Sequence, residues 1–192
     1  MFPKDVKEAL ENTYMPLFHP FLPYRVLYLA TCSKDGEPNL TIISFAKVFK
    51  NKILIPDVAL LKSIHNIQEN PEVSILVMIY RDYEIVNGWK KLLHKLTKNL
   101  VSIDFSFFGI IKIRILLFLY SIFKSLIPKA EYKISFKGAK IFEIKGKAKI
   151  LKEGEVFEKM NKFFKIVFGK KFELKGLVEI EWERIEKTEL KK

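Results

Sequence analysis

With 192 residues, 49% of them hydrophobic and 17 of them Phe, the chain has apolar material for one domain with a full core, and its composition excludes global disorder. The single cysteine, Cys32, excludes an internal disulfide framework and fits a reducing cytoplasm. A formal charge of +12 invites a polyanion partner, yet much of it is local: between Ile85 and Lys129 eight Lys or Arg stand against Asp104 alone, a net +7, so nucleic acid is not the expected partner.

From Pro3 to about Asn12 the spacing predicts a short amphipathic helix with Val6, Ala9 and Leu10 on its apolar side, and no export signal is expected. Met15 to Pro23 breaks that pattern. Arg25 to Ser33 reads as a strand, Lys34-Asp-Gly-Glu-Pro as a tight turn, and Asn39 to Phe49 as the returning strand of a hairpin. A turn at Asn51 leads into a short strand, Lys52 to Pro56. The period then becomes helical from Ala59 to Glu69, with Leu60, Ile64 and Ile67 on the apolar side and Lys62, Ser63 and Asn66 clustered away from it, until Asn70-Pro71 stops it.

Val73 to Tyr80 is almost uninterrupted in apolar and β-branched residues, as a strand buried on both faces would be. Residues 84–129 form an excursion, first basic and amphipathic, then Phe-rich, read as a helical insertion. Alternation resumes at Tyr132, Ile134 and Phe136 and again at Ile144, Gly146, Ala148 and Ile150, opposite Lys145, Lys147 and Lys149. A helix from Glu153 to about Phe168 and a strand from Leu177 to Ile185 complete the chain. The expected fold is mainly β with helices, an α+β single domain over 1–192 whose antiparallel strands make a closed or partly closed barrel.

Three stretches carry a resemblance: Tyr28-Leu-Ala-Thr-Cys-Ser-Lys-Asp-Gly-Glu-Pro-Asn, Ile53-Leu-Ile-Pro-Asp, and Lys62-Ser-Ile-His-Asn-Ile-Gln-Glu-Asn-Pro-Glu-Val-Ser. In order and spacing the chain resembles the pyridoxamine 5'-phosphate oxidase-like, FMN-binding split β-barrel family, over about Tyr24 to Val77 and Lys133 to Ile185. The resemblance implies a homodimer with FMN in a groove between subunits and its phosphate at Lys62 and Ser63. A helix start with free N–H groups, a Lys and a hydroxyl suits a phosphate on physical grounds as well. Asn66, one turn on, is expected to reach the phosphate or the ribityl chain. The backbone of Thr41, Ile42, Ile43, Ser44 and Phe45 is expected to run along the isoalloxazine edge, with Ile43 or Phe45 packed on the ring face. Asp57 is a further contact candidate, although an Asp there serves equally well as a turn residue or helix cap.

The better-known oxidases have an Arg-Lys pair where this chain has Lys62-Ser63, which argues for a flavin phosphate and against oxidation of a vitamin B6 phosphate. The functional expectation is an FMN-dependent oxidoreductase acting on a small-molecule substrate or electron donor, with a deazaflavin as the alternative cofactor. A second class of reading keeps the barrel without a cofactor, as a membrane-surface or polyanion-binding module. His19, His65, His94 and Cys32 have no metal-ligand spacing, so no metal is expected, and Trp89 and Trp182 are expected in the core. The run Phe107 to Lys124 is interrupted by Lys112 and Arg114, which disfavours a membrane span and leaves burial in the dimer or contact with a membrane surface.

Overall fold

A computed structural model describes residues 2–11, 27–43, 45–79, 82–85, 132–135, 139–169 and 172–189. Apart from Glu84 and Ile85, the expected insertion lies outside them, as do His19, Trp89 and His94. Helix α1 (Lys4–Glu11) is followed by β1 (Leu27–Cys32), β2 (Pro38–Ile43), β3 (Lys47–Phe49), β4 (Lys52–Pro56), α2 (Leu61–Glu69) and β5 (Glu72–Ile79). Among the described residues strands β6 (Asp82–Ile85) and β7 (Tyr132–Ser135) pair only with each other, and β8 (Lys140–Leu151), α3 (Glu155–Phe168) and β9 (Leu177–Glu189) follow.

Seven strands form one antiparallel sheet in the order β2-β1-β5-β8-β9-β4-β3. Its two edge strands, β2 and β3, are consecutive in the chain and joined only by residues 44–46. Four residue steps span at most about 14 Å, whereas a flat seven-stranded sheet is about 29 Å wide. The sheet must therefore curl until its edges approach. This explains why the expected strand from Asn39 to Phe49 is two strands: the break lets the chain leave one edge and start the other. At the β3–β4 turn Lys50 and Asn51 have φ of 45° and 66°, the left-handed pair that suits a two-residue hairpin.

Inside the curl, alternate residues of β1 (Leu27, Leu29), β5 (Val73, Ile75, Val77) and β8 (Phe142, Ile144) make one core with Val6, Ala9 and Leu10 of α1 and Ile67 of α2. A second cluster packs Phe157, Met160, Phe163 and Phe164 of α3 on Phe45 and Leu54. Strand β8 keeps its alternation of buried and open positions across a bulge at Lys145/Gly146. Only glycine fits there, because a Cβ on Gly146 would lie 2.2 Å from the Glu181 carbonyl oxygen. Trp182 sits at the core margin, edge-on to Phe2 with its indole N–H donating to the Asn51 carbonyl at 3.0 Å. Among the described residues no helix is long and apolar enough to cross a membrane.

Candidate functional site

The alternation of β1 and β2 sets the site. Both strands turn one face inward, and toward the hairpin tip that face becomes polar: Thr31 on β1, and Asn39 and Thr41 on β2. Polar groups shut inside a sheet need partners, and α2 supplies them. Ser63 is fully buried and Asn66 nearly so. The Asn39 amide donates to Ser63 Oγ at 2.9 Å and to Thr41 Oγ1 at 3.1 Å, Ser63 and Thr41 share a hydroxyl bond of 2.8 Å, and the Asn66 amide donates to Thr31 Oγ1 at 3.2 Å.

This corrects the helix reading made from sequence. Ser63 and Asn66 do not lie away from the packed face with Lys62; they lie on it beside Ile67, while Lys62, Leu61 and His65 are exposed. The physical reason is that α2 rests partly on the polar end of the hairpin, where hydroxyl and amide groups are the complementary choice. Thr31 and Asn39 were missed for the same reason. Their signal was in the register, since a cross-strand pair of polar residues in line with Leu27, Leu29 and Ile43 requires something polar above it.

The start of α2 leaves backbone donors without helical partners. The first intrahelical bond of α2 runs from Ile64 N–H to the Leu60 carbonyl at 2.8 Å, so the N–H groups of Leu61, Lys62 and Ser63 have no acceptor within the helix. Leu60 N–H is taken by Asp57 Oδ1 at 3.1 Å, and Asp57 N–H donates to the Gly176 carbonyl at 2.9 Å. Asp57 thus shapes the loop entering α2. The Ser63–Thr41 bond uses one of the two hydroxyl protons, inside the polar cluster. Lys62 adds an ammonium, half-exposed, whose Nζ lies 2.6 Å from Glu37 Oε1. The hydrogen bond from Lys62, reinforced by its charge, holds the Glu37 carboxyl below its ordinary range.

Of the ring-edge candidates, Thr41 belongs to the polar cluster, Ile42 is exposed on the opposite face of β2, and Ser44 lies outside the described residues. Ile43 is buried in the main core and Phe45 against Phe163 and Phe164, at centroid distances of 6.1 and 5.4 Å. Neither side chain is free to cover a ring face, contrary to expectation, because both fill the interior at the turn from β2 toward β3. The backbone remains available in part: among the described residues β2 is an edge strand paired only with β1.

An antiparallel sheet curled on itself, with helices packed at its ends, is a mixed α+β split β-barrel. Residues 21–189 match the pyridoxamine 5'-phosphate oxidase family, and the chain belongs to it. Solved structures of similar fold include HupZ of Group A Streptococcus (14% identity, TM-score 0.52, covering 96% of this chain and 92% of that one). Others are an FMN-binding protein of Syntrophomonas wolfei (13%, 0.52, 98% and 90%) and a protein of Mycobacterium tuberculosis (14%, 0.52, 98% and 85%). At such identities the likeness is one of fold. A search of curated sequences finds no significant match.

Proposed function

We propose that this chain is an FMN-binding flavoprotein, an oxidoreductase of the family, with the phosphate received at the start of α2. The observation that carries the reading is the donor set at the start of α2: three N–H groups with no acceptor within the helix, and the half-exposed Lys62 ammonium. Such a set suits a phosphate and offers little to a metal. Family membership and the FMN-binding protein of like fold support the same cofactor. Ser63 and Thr41 act as a pair fixed from behind by Asn39, and Asn66 holds β1 under the helix. Asp57 and Asn66 support the site from behind.

In this reading the free edge of β2 offers main-chain groups from Thr41 to Phe45 to the ring's hydrogen-bonding edge. The bound flavin would supply the redox chemistry, and the chain would bind and orient it. A second copy covers the outer face of β2, where Leu40 and Ile42 are 64% and 69% exposed beside Tyr28 of β1. An exposed apolar pair on an edge strand is what a homodimer would bury. In this reading the chain is a single cytoplasmic domain.

The test is Lys62→Ala. Removal of a charge-assisted bond to phosphate should weaken FMN binding about 10-fold while leaving riboflavin, which has no phosphate, unaffected. Unchanged FMN affinity would remove the phosphate from this position.

A further inference from the structure

One group at the phosphate site is of the wrong sign. Glu37 lies in the β1–β2 turn, far from α2 in sequence, and its carboxylate is hydrogen-bonded to Lys62 at 2.6 Å. A phosphate and a carboxylate sharing one ammonium repel each other. Around Glu37 the backbone is fixed: its N–H donates to Ser33 Oγ at 3.0 Å, its carbonyl accepts from Ser33 N–H at 3.0 Å, and Gly36 N–H donates to the Ser33 carbonyl at 3.1 Å. Gly36 takes the positive φ of 86° that closes this turn. The turn is also tied to the far end of α2, where Lys34 N–H donates to Glu69 Oε2 at 3.4 Å. Its carboxylate, by contrast, is free to move, since the Glu37 side chain is 68% exposed.

We propose that Glu37 is a built-in competitor for the ligand phosphate: it holds Lys62 in the ligand-free protein and must swing into solvent for the phosphate to bind. The proposal rests on the phosphate reading above and adds a residue that lowers affinity. An exposed ion pair opens at small cost, so Glu37 tunes occupancy without blocking the site. The opening cost falls on ligands that use Lys62 and spares those that do not.

Glu37→Gln keeps the side chain's size and removes its charge. FMN and riboflavin affinities are to be measured for the wild type, Glu37→Gln, Lys62→Ala and the double variant at low and high salt. Glu37→Gln should tighten FMN about two- to five-fold at low salt, less at high salt, with riboflavin unchanged, and the gain should shrink in the Lys62→Ala background. If the wild type binds FMN through Lys62 and Glu37→Gln leaves its affinity equal or weaker, the competitor is overturned and the phosphate reading stands. Equal tightening of riboflavin would also overturn it, since the effect would then lie at the ring. FMN binding that does not respond to Lys62→Ala, or no FMN binding at all, overturns both.

Discussion

Replacing Ser63 by Ala separates what holds α2 to the hairpin from what faces a ligand. Ser63 is fully buried, receives a 2.9 Å hydrogen bond from Asn39 and shares a 2.8 Å one with Thr41. Two net hydrogen bonds at about 0.5–1.5 kcal/mol each give a loss of about 1–3 kcal/mol, with the upper end reached if the Asn39 amide is left short of an acceptor. For a chain of this size that lowers the melting temperature by about 4–8 °C for a 2 kcal/mol loss. Urea denaturation should show a lower midpoint with an unchanged slope. Lys62, one residue earlier but exposed, is the control: Lys62→Ala should change stability by less than about 0.5 kcal/mol, since exposed pairs such as Lys62–Glu37 contribute little. A cost below about 0.5 kcal/mol for Ser63→Ala, or equal costs for the two variants, would refute the buried-network argument.

Two further outcomes follow from other parts of the molecule. Ile42→Glu places a charge on the exposed face of β2 and should shift sedimentation from dimer to monomer with a melting temperature lowered only through lost association; an unchanged dimer would place the interface elsewhere. Glu179 bears on acid stability. Burial acts to raise its carboxyl, but hydrogen bonds from Lys52 at 2.8 Å and from Lys149, with their charges, outweigh burial and hold it below the ordinary range. A depressed folded-state value means the unfolded chain binds the proton first, so this stabilisation is fully present above about pH 4.3 and is lost as pH falls through the lower folded value. Glu179→Gln should therefore cost about 1 kcal/mol at pH 7 and progressively less in acid, as read from chemical denaturation at several pH values; a gap that widens in acid would contradict the sign.

Much of the fold was legible because its periodicities are simple. The near-continuous apolar run after Pro71 gave β5, which lies between β1 and β8 in the sheet, and the Lys-alternating stretch at 144–150 gave β8. The end of β2 was not legible, because Ser44-Phe-Ala continues an apolar pattern without Gly or Pro. It breaks there for a long-range reason, the need to carry the chain from one edge of the curled sheet to the other. The orientation of α2 was not legible. Lys62 and Ser63 are neighbours in sequence, yet a helix turns about 100° per residue and puts them on different faces. Glu37 and Asn39 were invisible as site residues because their partners lie 25 and 24 positions away, a separation that the packing of α2 on β1 and β2 closes.

The central claim is that this barrel holds FMN at the start of α2. Titration of the purified protein with FMN, followed by quenching of flavin fluorescence and by the rise in melting temperature, tests it most directly. The account predicts saturable binding at one FMN per chain, with riboflavin markedly weaker for want of the phosphate. No FMN binding, with a deazaflavin instead raising the melting temperature or with a colourless protein binding anionic vesicles in a salt-sensitive manner, would contradict it.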